Sequence, residues 1–405
     1  MKNRIVILIA SAILGVTLYS CQEEPVGQTP ADSTPPGKIT NPVPTPLPGG
    51  ARISYTLPKD DDLWYVKAVY SINGEEKTDA ASLYANSVEV MGFGSTDEQT
   101  VHLYSVDRSG NHSEAVDVKI KPDTPPIQLI RESMDMSRAF GGVKLLWKNE
   151  CKAPVAIYLL AADSIGDIQV ADVVYTEAID GKFNLRGFDD SERIFGALVR
   201  DKWNNYSDTL KGKYKPFFEE ELKKPFAKQV LYGDNPQENG DRYAFSLMWD
   251  GLITPRSWDQ INQAEGVPNY FTIDLQVTAK LSRYTIWQRH EWQNNVWNYM
   301  YDNANPRKWQ IYGTDHLSTS ANNDYWMEGW KDDWVLLKDC EIVKPSGSGP
   351  LTQSDIDAVF AGHEFEIPID MPPVRYVRFQ LESNWGGNTL DWWVAELSFW
   401  GEIKK

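Results

Sequence analysis

Asp107-Arg108-Ser109-Gly110-Asn111-His112-Ser113 and Asp201-Lys202-Trp203-Asn204-Asn205-Tyr206-Ser207 are one phrase written twice. In each copy a strand-like run enters polar turn residues, leaves as a second run and reaches Lys-Pro, at Lys121-Pro122 and at Lys215-Pro216. The openings correspond as well, Gly49-Gly50-Ala51-Arg52-Ile53-Ser54-Tyr55 against Gly141-Gly142-Val143-Lys144-Leu145-Leu146-Trp147. A repeat of about ninety residues made of short runs and turns has the size of a small β-sandwich. Ala51 to Tyr55, Trp64 to Tyr70 and Val101 to Val106 alternate at period two, and no stretch of the first copy keeps helical periodicity for three turns.

These two units, residues 38–122 and 123–222, resemble fibronectin type III-like domains. The resemblance implies that an aromatic of an early strand packs between the sheets, which gives Tyr55 and Trp147 as core residues. Pro122-Asp123-Thr124-Pro125-Pro126 reads as a rigid hinge between them. After the second unit, Pro216 to Pro225 carries Glu219-Glu220-Glu221 beside Lys223-Lys224, a pattern expected of a solvated linker or short helix rather than a carboxylate active site.

The 405-residue length fits two to four domains, and a formal charge of -17 argues against nucleic acid or an anionic membrane surface as ligand. Residues 1–20 read as a lipoprotein signal peptide. Lys2 and Arg4 precede the apolar run Ile5 to Val16, and Leu18-Tyr19-Ser20-Cys21 resembles a bacterial lipobox with Tyr19 as its one departure. Cys21 is the expected lipidation site. Gln22-Glu23-Glu24 resembles the acidic signal that sends Bacteroidetes lipoproteins to the outer face of the outer membrane; an ordinary acidic tether is the alternative. Residues 21–37 form a Pro/Thr-rich stalk, and the same Pro, Thr and Gly composition runs on to Gly50. Cys151 and Cys340 have no metal-type spacing and are expected to be buried thiols.

All but Trp64, Trp147 and Trp203 of the 16 tryptophans follow Asp234. The strand-like segments there are Phe271-Thr272-Ile273-Asp274-Leu275, Ser282-Arg283-Tyr284, Ile311-Tyr312-Gly313, Arg375-Tyr376-Val377-Arg378 and Ala395-Glu396-Leu397-Ser398-Phe399-Trp400-Gly401. In this order they resemble the discoidin, or coagulation-factor C-type, family of galactose-binding-like domains, which implies a β jelly roll over residues 235–405. The expected fold is therefore all-β: two tandem fibronectin type III-like β-sandwiches followed by a discoidin-like jelly roll.

Trp287, Trp309, Trp393 and Trp400 lie in strand-like segments and are read as core or sheet-face residues. The resemblance places a carbohydrate site in loops at one end of the roll. Flat sugar faces stack on Trp while hydroxyls need planar donors and acceptors, so Trp258, Arg289, His290, Trp292, Trp297, Asn384 and Trp385 are the candidate ligand residues. The alternative for Trp292 and Trp297 is that they pin a long loop. The family also implies a structural calcium, for which Asp250 and Glu396 are the candidates; the alternative is a turn Asp and a surface Glu. No cofactor is otherwise required.

Enzyme motifs are poor. His290-Glu291 and His363-Glu364 begin zincin-like patterns, but Asn294 and Ile367 stand where a second His is needed. Gly347-Ser348-Gly349 lacks a strand-turn-helix setting. The whole arrangement resembles Bacteroidetes surface lipoproteins of glycan-utilisation systems. The reading is thus a non-catalytic, lipid-anchored outer-membrane protein exposed at the cell surface, binding polysaccharide or glycan. A lipoprotein for protein-protein assembly or adhesion, associated with a TonB-dependent transporter complex, is the alternative.

Overall fold

Period-two alternation in the first unit becomes seven strands, β1 (Thr40–Leu47), β2 (Gly50–Thr56), β3 (Leu63–Ile72), β4 (Glu75–Ser82), β5 (Ser87–Met91), β6 (Gln99–Asp107) and β7 (Val116–Ile120). They pair as two sheets, β1-β2-β5 and β4-β3-β6-β7. The computed structural model describes residues 33–404 apart from 235–237, 239, 254–256, 261–267, 319–321 and 328, so Cys21, the signal peptide and most of the stalk lie outside the described residues. Ala51, Ile53 and Tyr55 of β2 point inward with Val66, Ala68 and Leu103, and Arg52 and Ser54 point out. The stalk-like composition does not continue as stalk to Gly50. Pro42, Pro44 and Pro46 lie within β1, which pairs with β2 as the sheet edge, where a residue without an N–H is tolerated.

The second unit repeats this wiring with β8 (Asp135–Ala139), β9 (Gly142–Lys148), β10 (Val155–Ala162), β11 (Ile168–Thr176), β12 (Asp180–Leu185), β13 (Arg193–Asp201) and β14 (Leu210–Tyr214). Its sheets are β8-β9-β12 and β11-β10-β13-β14. Trp147 is buried in its core, and Gly181 faces the indole so closely that a Cβ there would lie 1.9 Å from the ring. The proline hinge differs from expectation. Pro126 opens α1 (Pro126–Ser133), since proline suits the first helical position, and Ile127 and Ile130 enter the core.

The repeated phrase is a side-chain-locked turn. Asp107 Oδ1 accepts the Asn111 N–H (2.8 Å), Oδ2 accepts Asn111 Nδ2 (2.9 Å), and the Ser113 hydroxyl oxygen accepts the Ser105 N–H (3.0 Å). Asp201, Asn205 and Ser207 repeat each bond at 2.9, 2.8 and 2.9 Å. The second copy also joins the two units, because Asn205 Nδ2 donates to the Gly92 carbonyl (2.8 Å) and Oδ1 accepts from Asn73 Nδ2 (3.0 Å). Trp203 lies against Gly92, where a Cβ would come within 2.8 Å of the ring.

The third unit contains β15 (Glu220–Glu221), β16 (Ala227–Gln229), β17 (Trp258–Gln260), β18 (Asn269–Trp287), β19 (Glu291–Gln293), β20 (Val296–Asn298), β21 (Pro306–Thr314), β22 (Val335–Glu341), β23 (His363–Glu366), β24 (Val374–Asn384), β25 (Trp392–Val394) and β26 (Glu396–Ile403). Helices α2 (Asn323–Met327) and α3 (Gln353–Ala361) lie between strands. The large sheet runs β15-β26-β18-β24-β21-β22. What the sequence presents as two strands is one, β18, whose pairing shifts between Asp274 and Ala279, near Gln276 at φ +64°. Its first half pairs with β24 and its second with β26 and β23, which lets a single sheet fold over the core of Phe271, Tyr284, Trp309, Phe379 and Phe399. The chain is therefore all-β with two small sandwiches and a larger roll.

Two expectations are corrected here. The acidic run after Pro216 is not a solvated linker: Glu220 and Glu221 pair with β26, Leu222 is buried, and the Glu219 carboxylate accepts Ser282 Oγ (2.5 Å) and Arg283 Nε (3.1 Å). Cys340 is buried beside the Tyr284 hydroxyl (2.9 Å), but Cys151 is exposed.

Candidate functional site

At one end of the roll β17 and β25 pair so that Trp258 faces Val394 and Asp259 faces Trp393. Paired residues share a face, so the two pairs point opposite ways. Trp258 goes inward and is wholly buried against Phe245 and Phe271, which removes it from the candidate ligand residues and makes it core. Trp393 is half-buried on the other face; of the four tryptophans read as core or sheet face, it is the one that joins the site.

Arg289, just beyond the end of β18, organises that face. Its guanidinium forms ion pairs with Asp259 and with Glu291 (2.9 Å) and sits 4.7 Å from the Trp393 ring, 4.8 Å from Tyr299 and 5.4 Å from Tyr243. Burial lifts the Asp259 carboxyl to about 6, against the pull of the Ser257 hydroxyl and of Arg289. Burial works against the charge of Arg289, yet Asp259 and Glu291 outweigh it and raise its pKa. Tyr299 stands in the left-handed region at φ +70° and its ring meets Trp393 edge-on at 5.5 Å. A non-glycine residue there is held by its surroundings at a cost of about 1 kcal/mol or more. Asn305 supplies the hold, donating to the Tyr299 carbonyl and accepting the Arg289 N–H (2.8 Å). The arrangement is a buried, charge-compensated guanidinium among three half-buried rings, which offers flat aromatic surface held by a buried polar network.

The other candidates scatter. β19 and β20 form a hairpin whose turn residues, Asn294 and Asn295, both have positive φ, the requirement of a tight two-residue turn. Trp292 and Trp297 are paired across it on the face opposite Glu291. Trp292 is 56% exposed, whereas Trp297 packs on Phe360 (5.1 Å) and His290 (5.8 Å), so one is presented to solvent and the other anchors the loop. His290 is fully buried, and burial lowers its pKa. Asn384 is buried and works as a turn residue, accepting the Asn388 N–H (3.0 Å) and donating to the Asp391 carbonyl (3.1 Å). Trp385 is half-buried against Tyr301 (5.3 Å) and Arg307 (5.0 Å). His290 and Asn384 therefore support the site rather than face a ligand.

The calcium candidates fit the ion poorly. Glu396 is buried, pairs with the Lys224 ammonium and accepts the Gly251 N–H (3.1 Å). Burial raises it to about 7. An ammonium thus occupies the oxygen that a cation needs. Asp250 uses one oxygen on the Leu252 N–H (2.9 Å), and no group of three or more His, Cys, Asp or Glu that could hold a metal occurs among the described residues.

The fold and this face define an all-β protein of two sandwich units that carry a terminal roll with an aromatic, arginine-centred end. Three family profiles match the chain, each described as a domain of unknown function: DUF4959 over residues 36–122, DUF5126 over 123–225 and DUF5000 over 249–401. Among solved structures, the chain is similar to a SusE-like protein at 28% identity, with 69% of this chain and 100% of that one covered and a TM-score of 0.43. It is also similar to an F5/8 type C domain of a Bacteroides fragilis protein (13% identity, 44% and 91% covered, TM-score 0.27). A two-domain fibronectin type III segment of chicken tenascin is similar at 12% identity, with 44% and 99% covered and a TM-score of 0.24. No curated protein matches the sequence.

Proposed function

We propose that this chain is a non-catalytic lipoprotein of the outer membrane, anchored through Cys21 and exposed at the cell surface, which captures glycan at the end of its C-terminal roll for an uptake system. The observation that carries the reading is the Arg289 cluster. Sugar rings present flat C–H faces that stack on the half-buried Tyr299 and Trp393, whose positions the buried ion pairs of Arg289 with Asp259 and Glu291 fix before any ligand arrives. Each contact is weak. Display of many copies on one surface supplies avidity, and the two sandwiches act as spacers that hold the site away from the membrane.

Affinity electrophoresis of the full mature chain against a panel of polysaccharides tests this, followed by titration of any retarding glycan into Trp393→Ala and Tyr299→Ala. Base-ring stacking in other systems is worth about 1–3 kcal/mol, so each variant is expected to bind roughly tenfold or more weakly. Undiminished affinity in both overturns the site.

One observation favours a second reading. The β19–β20 hairpin exposes Trp292 on one face and Val296 on the other, an apolar tip suited to a protein partner such as a transporter complex. Retardation by no polysaccharide, with loss of a co-purifying transporter on Trp292→Ala, is the result that selects it.

A further inference from the structure

A cavity of about 450 Å³ lies between the second sandwich and the roll, away from the Arg289 cluster. Five cations line it, Arg138, Lys144, Lys182, Arg186 and Lys338, in a chain whose formal charge is -17. The concentration follows from strand alternation. Val143 and Leu145 of β9 face the sandwich core, so Lys144 faces out, and Asn184 is its partner on β12, flanked two residues away on either side by Lys182 and Arg186. This outer face of the β8-β9-β12 sheet meets the edge strand β23 of the roll.

The junction neutralises part of the row. Glu366, the one carboxylate lining the cavity, is bound by Lys182, by Asn184 and by Arg186 (3.1 Å), and Glu364 takes Arg186 (2.5 Å) and Arg283 (2.7 Å). Lys144 and Lys338 have no ion pair among the described residues. Arg138 lies over the Phe217 ring at 3.5 Å, likewise without a carboxylate. Three like charges around one cavity repel one another and gain from an anion placed between them. The lining also holds apolar residues, Pro368 and Ile369 exposed and Phe140 and Ile367 buried.

We infer that this junction is a second binding site, which takes an acidic monosaccharide unit, its carboxylate or sulfate on Lys144, Lys338 and Arg138 and its C–H face on the exposed Pro368 and Ile369. The volume is in the range of about 300–1,000 Å³ usual for small-ligand sites, which favour domain junctions. A bare inorganic anion satisfies the cations but not these apolar residues.

Titration calorimetry of the full mature chain tests it with sodium D-glucuronate, N-acetylneuraminate, inorganic sulfate, inorganic phosphate and neutral glucose. The sugar acids are expected to bind at least about tenfold more tightly than either inorganic anion or glucose, with affinity falling as salt rises. Lys144→Gln and Lys338→Gln, both partly exposed positions whose thermal unfolding serves as the folding check, are each expected to weaken glucuronate about tenfold. Trp393→Ala leaves this binding unchanged, which separates the site from the Arg289 cluster. Equal binding of sulfate, phosphate and the sugar acids overturns the saccharide assignment, and no binding, or binding indifferent to both lysine variants, overturns the site.

Discussion

Arg378 in β24 is wholly buried, and so is the Asp234 side chain that it meets at 2.8 Å. The guanidinium lies between the rings of Tyr270 and Trp330, each 4.4 Å away. Burial opposes the charge on both partners, raising the Asp234 pKa and lowering that of Arg378. The two single substitutions should therefore not be equivalent. Asp234→Asn leaves a guanidinium that cannot shed its proton in a protein, and a buried charge without its partner costs about 3–5 kcal/mol. Arg378→Met leaves a carboxyl that escapes by taking up a proton, at about 1.4 kcal/mol per unit between its unfolded pKa and the ambient pH, which caps that cost at about 4 kcal/mol at pH 7 and at about 2 kcal/mol at pH 5. The Asp234 pKa in that variant lies above its unfolded value. The folded state then binds the extra proton, and Arg378→Met should regain stability as pH falls from 7 to 5, while Asp234→Asn shows no such term. The double variant should be milder than Asp234→Asn alone. Urea unfolding of the full chain followed by tryptophan fluorescence reads this directly, because Trp326 and Trp330 pack in the same cluster. Finding Asp234→Asn no worse than Arg378→Met at pH 5 would refute the claim that the unpaired buried guanidinium dominates.

Trp258→Ala should cost about 3–5 kcal/mol, and Trp292→Ala less than about 1 kcal/mol, in thermal unfolding, because only the first empties a core position. Glu396, raised to about 7 by burial, binds a proton in the folded state that the unfolded chain releases. Wild type should accordingly gain about 2–3 kcal/mol relative to Glu396→Gln as pH falls from 8 to 5, and a flat difference counts against the assignment. Asn205→Ala removes both the Asn73 and the Gly92 bonds between the sandwiches, and Gly92→Ala drives a Cβ into the Trp203 ring. Small-angle scattering should show a broader spread of inter-unit geometry for both variants; an unchanged profile means that the junction is held elsewhere.

The parts of this fold that could be read from sequence are those where local chemistry dictates residue identity. The repeated phrase was visible because its turn needs Asp, Asn and Ser at fixed offsets to satisfy backbone N–H groups. Tyr55 and Trp147 were visible because alternation marks an inward face. The closing arginines were visible as part of a family pattern, and the Asp234 pair with its flanking rings supplies the physical reason for Arg378. The candidate site was less legible. Trp258 sits in a strand of three residues whose partner, β25, is far away in the chain, so nothing nearby distinguishes it from a loop tryptophan such as Trp292. Lys224, which occupies Glu396, arrives from a segment that composition marks as linker. A usable signal did exist in Trp392-Trp393-Val394. Alternation sends Trp392 and Val394 into the core and leaves Trp393 on the other face, level with Asp259 and within reach of Arg289. In this roll the inward positions of the short end strands specify the fold. The residues between them face the proposed glycan site, and Lys144 on the outer face of the second sandwich faces the proposed junction site. A tryptophan count mixes the two sets, and only strand parity separates them.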